Sequence, residues 1–81
     1  MKISLKLFAA AKQLAGFDAI VLDLPPGATV GQLRRQLLLA APSLAPMGSQ
    51  LMFAVNADYA DDSWPVPPDA DVACIPPVSG G

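Results

Sequence analysis

The residue types that most often carry out catalysis are scarce in this 81-residue sequence. It contains no histidine, a single cysteine and seven acidic residues. Cys74 lies in a predicted strand with no base beside it, and a cysteine in that setting is usually a small buried hydrophobic residue. Asp61–Asp62 and Asp69/Asp71 could form carboxylate pairs, but in a proline-rich stretch they are expected to be solvated. Residues 1–75 therefore predict no nucleophile and no metal site.

The last six residues, PPVSGG, are the remaining candidate for chemistry. Consecutive prolines fix φ twice and cannot donate to a strand ladder, so they end the last strand and direct the chain away from it. A glycine pair has no Cβ and can enter a passage too narrow for any other residue. The reactive group of this tail would be the terminal carboxylate of Gly81. The other residues of the tail are Pro76, Pro77, Val78, Ser79 and Gly80.

A carboxylate is a poor electrophile until it is activated, so the tail implies an ATP-dependent adenylating partner. The chain is therefore expected to have two parts, a folded domain over residues 1–75 and an extended tail over 76–81. The domain would bind no cofactor of its own, and ATP would be used by the partner. The acyl adenylate could then accept sulfur or an amine at the Gly81 carbonyl.

Composition limits the class of protein further. The sequence is 53% hydrophobic and 15% charged, with a net charge of −2, which suits one small folded domain. Its five basic residues form no cluster, so no nucleic-acid partner is expected. The uncharged stretch 36–57 has the length of a membrane span but contains two prolines, a glycine and several polar residues, so no membrane association is expected. The absence of disulfide-forming cysteine pairs favours a cytoplasmic location.

Hydrophobic patterns predict the elements of the first half. Ile3, Leu5 and Leu7 alternate with polar residues, which indicates a half-buried strand. A short helix is expected next, ending at Gly16, and a second alternating strand at 20–24.

The main helix is predicted to begin at Thr29, since Gln32 follows at the spacing of a capping box, and to end at Pro42. Leu39 falls on its polar side with no special role. The buried face of the helix is predicted to carry Val30, Leu33, Leu37, Ala40 and Ala41.

A loop is expected over 43–50, a buried strand over 51–55, a turn at 56–58, a short return strand from Tyr59 and a last strand over 72–75. The order of strand, strand, helix, strand, short strand and strand predicts an α+β fold. The architecture that this order predicts is a β-grasp, or ubiquitin-like, mixed sheet with one main helix packed across one face.

Four stretches together resemble the small subunits of molybdopterin synthase, which are ubiquitin-like sulfur carriers. The stretches are LFAAAKQLAG, PPGATVGQLRRQL, FAVNADY and DVACIPPVSGG, and the likeness extends over essentially the whole chain. The terminal PPVSGG is the most specific of them. One departure is Asp69-Ala70-Asp71, where such proteins usually have Gly-Asp-Glu, and it affects a turn before the last strand.

The resemblance implies a cycle of sulfur transfer. Gly81 would be adenylated by an adenylyltransferase similar to ubiquitin-activating enzymes, and sulfur from a persulfide on a donor protein would then replace AMP. The thiocarboxylate would enter the large subunit of the synthase, with residues 76–79 guiding it and Gly80 suiting the narrow passage. There it would donate sulfur to cyclic pyranopterin monophosphate, forming the dithiolene of the molybdenum cofactor. Two sulfurs per product fit a heterotetramer with two small subunits.

Three alternatives stay open at this point. The chain could be a thiazole-type sulfur carrier of thiamin synthesis, a ubiquitin-like modifier that forms isopeptide bonds through Gly81, or an interaction domain whose terminal glycines have no role. Hydrophobic residues that could contact a partner are Leu39, Phe53 and Ile75.

Overall fold

Five strands, two α-helices and one 3₁₀ helix follow one another in the computed structural model, which describes residues 1–77. The elements in chain order are β1 (Lys2–Leu7), α1 (Ala9–Ala15), β2 (Ala19–Asp23), α2 (Val30–Ala40), the 3₁₀ helix (Pro42–Gln50), β3 (Met52–Val55), β4 (Asp58–Ala60) and β5 (Asp71–Ile75).

The strands form one mixed sheet in the order β2-β1-β5-β3-β4. β5 lies in its middle, parallel to β1 and antiparallel to β3, while β2 and β4 pair antiparallel at the two edges. The register places Leu5 beside Val72 and Leu7 beside Cys74, on the inner face. Since successive side chains point to opposite faces, Ser4 and Lys6 lie on the other, open face.

Helix α2 packs its apolar side onto the inner face of the sheet. Val30, Leu33 and Leu37 are fully buried in one cluster with the inward residues of β1, β3 and β5. The predicted capping box is confirmed, because the Thr29 hydroxyl accepts from the Gln32 N–H and the Gln32 side chain accepts from the Thr29 N–H. This arrangement is the β-grasp architecture, as the sequence predicted.

The end of α2 differs from the prediction at one residue. Ala41 is buried as expected, but Ala40 is exposed. The reason is that α2 ends at Ala40 and Ala41 leaves the helical conformation, with φ −134° and ψ 76°, so the helical spacing no longer decides which side chain faces the core. Leu39 is 74% exposed, as its position on the polar side predicted.

The prediction of a loop over 43–50 is wrong, since the segment is most of the 3₁₀ helix. Pro42 is suited to the first position of a helix because its φ is already restricted. Leu44 is fully buried and anchors the segment in the core. Gly48 is buried so tightly that a Cβ there would lie 2.7 Å from Cδ1 of Leu38. The small and proline residues here carry no strong periodicity, and it is tertiary packing that makes the segment helical.

The turn between β3 and β4 has a left-handed backbone at two residues that are not glycine. Asn56 has φ 49° and Ala57 has φ 73°. The Asn56 side chain also accepts from the Asp71 N–H at 3.0 Å, and the Asn56 N–H donates to the Asp71 carbonyl at 2.8 Å, which ties the turn to the start of β5. The methyl side chain of Ala57 cannot form such a hydrogen bond, and the left-handed backbone is sterically unfavourable for it.

Candidate functional site

The chain leaves the sheet at the end of its central strand. β5 ends at Ile75, which confirms the prediction that the two prolines stop it. Pro76 is buried and Pro77 is half-buried, so the first two residues of the predicted tail still lie close to the domain. The other predicted tail residues, Val78, Ser79, Gly80 and Gly81, lie outside the described residues.

Cys74 is the last inward-facing residue before this exit. Its side chain is fully buried between the facing residues Leu7 of β1 and Phe53 of β3. Burial raises the pKa of the Cys74 thiol to about 11, and the positive charge of Arg34, which lowers this pKa, has the smaller effect. The thiol is therefore protonated at neutral pH and shielded from reagents, in agreement with the expectation that it packs rather than reacts.

Ile75, the next residue, lies on the open face of the sheet. It is opposite Met52 of β3, and Phe8 continues the extended backbone of β1 on the other side. Phe8 and Met52 are each about half exposed, at 48% and 49%. Lys6 lies on the same face opposite Ala73. Apolar and basic side chains thus surround the point at which the tail leaves the sheet.

The three residues that the sequence suggested for partner contact have different environments. Phe53 is 1% exposed and belongs to the core. Leu39 is exposed on α2, the layer that covers the inner face, and so lies away from the open face. Ile75 is on the open face at the start of the tail, and of the three it is the one placed to contact a partner that receives the tail.

The four residues of the carboxylate pairs are exposed, as the sequence predicted: Asp61, Asp62, Asp69 and Asp71. The Ser63 hydroxyl and backbone N–H donate to Asp61 at 2.6 and 3.0 Å, and these hydrogen bonds lower the pKa of the Asp61 carboxyl. Asp62 pairs with Arg34 at 2.8 Å. Asp69 stands where the carriers that the chain resembles usually have a glycine. Its backbone is left-handed, with φ 59°, a conformation that glycine adopts without strain. Within residues 1–77, no group of three or more possible metal-ligating side chains is found.

Arg34 is a structural residue that sequence pattern did not reveal. Its guanidinium donates to the carbonyls of Gly48 and Leu51 at 2.5 and 2.7 Å, and it lies 5.0 Å from the centre of the Phe53 ring. With the Asp62 pair, these contacts join α2 to the 3₁₀ helix, β3 and the segment after β4. The only signal in the sequence was a charged residue flanking the buried side of a helix, which is common and unspecific.

Among residues 1–77, none of the helices has both the length and the hydrophobicity that a bilayer crossing requires.

The sequence matches the model of the ThiS family over residues 5–81, that is, from β1 to the last glycine. The chain belongs to the ThiS family. It is 37% identical over 81 residues to the molybdopterin synthase sulfur carrier subunit of Arabidopsis thaliana, which covers all of this chain and 84% of the relative. The resemblance to carriers of the molybdopterin synthase type is therefore confirmed across the full length.

Solved structures agree with the fold. The crystal structure of SAMP1 from Haloferax volcanii superposes with a TM-score of 0.88 at 28% identity, covering all of both chains. A complex of subunits 1 and 2 of molybdopterin-converting factor from Helicobacter pylori contains a chain with a TM-score of 0.70 at 18% identity, again over all of both chains. At that identity the second likeness concerns the fold alone.

Proposed function

We propose that this chain is the sulfur carrier subunit of molybdopterin synthase and that the terminal carboxylate of Gly81 carries the sulfur. The observation that carries the proposal is the full-length similarity to the sulfur carrier subunit of Arabidopsis thaliana, which includes the end of the chain. The described site is compatible with this role, because the tail follows the end of the central strand of the sheet. Cys74, the one thiol, is fully buried.

The proposed cycle begins with activation. The Gly81 carboxylate attacks the α-phosphate of ATP on an adenylating partner, forming an acyl adenylate and releasing pyrophosphate. The terminal sulfur of a persulfide on a donor protein then attacks the carbonyl carbon and AMP leaves. A thiol cleaves the resulting acyl disulfide, so that Gly81 keeps the sulfur as a thiocarboxylate and the two thiols leave as a disulfide.

The second half of the cycle takes place in the large subunit of the synthase. The thiocarboxylate transfers its sulfur to cyclic pyranopterin monophosphate, and water supplies the oxygen that replaces the sulfur, so that the carboxylate of Gly81 is regenerated for another round. Gly80 and Gly81 present no Cβ and so suit a narrow entry into that subunit. The Helicobacter pylori complex of subunits 1 and 2 supports a large subunit as partner. Because the cycle uses ATP, we place it in the cytoplasm.

Reconstitution of the synthase tests this proposal. The chain is combined with the large subunit of the same organism, an adenylating enzyme, ATP, a sulfur donor and the pterin substrate, and dithiolene product is measured. The wild-type chain is expected to support product formation. Deletion of Gly81, or addition of one alanine after it, is expected to abolish product while leaving the thermal unfolding curve unchanged. Full activity of the extended chain would refute the role of the terminal carboxylate.

A second candidate function is covalent modification of proteins through Gly81. It is favoured by the similarity to SAMP1, which is named a small archaeal modifier protein in a second Haloferax volcanii structure. The two functions share the adenylate and diverge afterwards. A modifier would form isopeptide-linked conjugates, which immunoblots against the chain would detect as species of higher mass, while a sulfur carrier would restore molybdenum cofactor in cells lacking their own carrier. A thiazole-type carrier would instead restore thiamin synthesis.

A further inference from the structure

The end of the sheet from which the tail leaves has a distinct surface, which we name the tail-root surface. It consists of Lys6, Phe8, Lys12, Met52 and Ile75. Four of these residues lie on or beside the open face of β1, β5 and β3, since Ile75 is opposite Met52 and Phe8 follows the last paired residue of β1. Lys12 of α1 lines a cavity together with Lys6 and Phe8.

The length of the tail requires a receiving partner to touch this surface. Four residues follow Pro77, and even fully extended they span no more than about 13–14 Å. Any active site that Gly81 reaches must therefore lie within that distance of Pro77. A protein that encloses such a site has to cover the residues around the exit, where Phe8 and Met52 expose about half of their side chains.

Charge is distributed unevenly across this end of the sheet. Lys6 and Lys12 lie on the β1 and α1 side, with Asp18 as the acidic residue lining the same cavity. On the β4 side, Asp61 and Asp62 follow the strand, and Asp62 is already paired with Arg34. The two sides are three strand spacings apart, or about 14 Å. The chain as a whole has a net charge of −2, so the side that carries these two lysines is opposite in sign to the protein overall.

On the basis of the proposed function, we infer that the tail-root surface binds the large subunit through an apolar centre and a basic side. Acidic side chains of the large subunit then face Lys6 and Lys12. The apolar centre of Phe8, Met52 and Ile75 supplies contact area. The two lysines fix the orientation and speed association, because charges at the edge of an interface act mainly on the association rate and on partner choice. They are specificity-determining residues and take no part in the chemistry.

A charge-reversal experiment tests the inference without requiring sulfur transfer. Binding of the unloaded chain to the purified large subunit is measured by calorimetry and by stopped-flow fluorescence. The double variant K6E/K12E is expected to bind on the order of tenfold more weakly, mostly through slower association. Raising the salt concentration should reduce this difference, since screening lengths fall from about 10 Å at 0.1 M toward about 3 Å at 1 M.

Lys2 provides the matched control. It lies on the same strand and the same face as Lys6, but at the far end of the sheet, opposite Asp23. Lys2→Glu alone, and K2E combined with a reversal of Arg35 on the exposed side of α2, should bind as wild type. If these controls weaken binding as much as K6E/K12E does, net charge alone is responsible and the inference is overturned.

The remaining outcomes are equally decisive. If K6E/K12E binds as tightly and as fast as wild type, the basic side does not contact the large subunit and the inference fails while the proposed function stands. If the wild-type chain does not bind the large subunit at all, the proposed function fails and the inference fails with it. If sedimentation shows that the reversal disrupts a dimer of this chain, the surface is an interface between copies and the inference is wrong.

Discussion

The two faces of the sheet are built from the same strands but have opposite chemistry. On the inner face, Leu5, Phe53 and Val72 are almost completely buried under α2. On the open face, their immediate neighbours Lys6 and Met52 are exposed. The inner residues hold the fold together through buried apolar area, whereas the outer residues are free to contact a partner. A substitution should therefore affect either stability or binding, depending on which face its side chain occupies.

The largest expected effect comes from neighbouring residues on opposite faces of β3. Phe53→Ala removes a 1% exposed aromatic side chain and should lower the free energy of unfolding by about 3–5 kcal/mol. Met52→Ala, at a residue that is 49% exposed, should lower it by less than about 1 kcal/mol. Urea unfolding followed by circular dichroism measures both. If Phe53→Ala leaves too little folded protein, Phe53→Leu should show a smaller loss of the same sign, and equal losses at the two positions would contradict the comparison.

A second comparison concerns substitutions at two neighbouring arginines on α2. Arg34→Met leaves the carbonyls of Gly48 and Leu51 without their donor and should lower the free energy of unfolding by roughly 2–3 kcal/mol. Arg35→Met changes the same charge at an exposed residue and should change stability by less than about 0.5 kcal/mol. Denaturant unfolding of both variants distinguishes them, and a near-neutral Arg34→Met would show that these contacts do not stabilise the fold.

Burial of Cys74 on the inner face predicts a dependence of stability on alkaline pH. The pKa of its thiol is raised from an ordinary value near 9 to about 11, so the folded chain holds this proton more tightly than the unfolded chain. Its contribution to stability is present below pH 9 and is lost as the pH rises to 11, at up to about 1.4 kcal/mol per pH unit. The difference in unfolding free energy between wild type and Cys74→Val isolates this contribution from that of the lysines. A difference that is constant across this range would show that the thiol is not buried as described.

The smallest effect concerns the turn between β3 and β4. Ala57→Gly relieves a left-handed backbone with φ 73° and should raise the free energy of unfolding by about 0.5–1 kcal/mol, after the entropy that glycine adds to the unfolded chain is subtracted. The matched control is Ala45→Gly in the 3₁₀ helix, where φ is not positive. There the conformational entropy that glycine adds to the unfolded chain should lower the free energy of unfolding by a similar amount. Differential scanning calorimetry measures both, and shifts of the same sign would contradict the strain at Ala57.

The elements predicted correctly from the sequence are those fixed by local chemistry. The alternation of β1, the capping box at Thr29 and the two prolines after Ile75 each depend on residues a few positions apart. The 3₁₀ helix was missed because its conformation depends on contacts with α2 that no local pattern encodes. Arg34 was missed for the same reason, since its partners lie 14, 17 and 28 residues away in the sequence.

The candidate site also has one part that the sequence alone suggested and one part that only the fold reveals. The sequence alone suggested the tail, because the chemistry proposed for it depends on consecutive residues, 76–81. The sequence could not suggest the tail-root surface, because Lys6, Phe8 and Met52 come together only through the parallel pairing of β1 with β5 and the antiparallel pairing of β3 with β5. That register also corrects the choice of contact residues, since it places Ile75 on the open face and Phe53 in the core.

If the terminal carboxylate of Gly81 carries the sulfur, intact mass spectrometry of the chain will detect it. The chain is incubated with the adenylating enzyme, ATP and a persulfide donor, with a reaction lacking ATP as control. We predict a mass increase equal to the difference between one sulfur and one oxygen atom, dependent on ATP and located by fragmentation on Gly81. An unchanged mass, or an added sulfur located on Cys74, would contradict it.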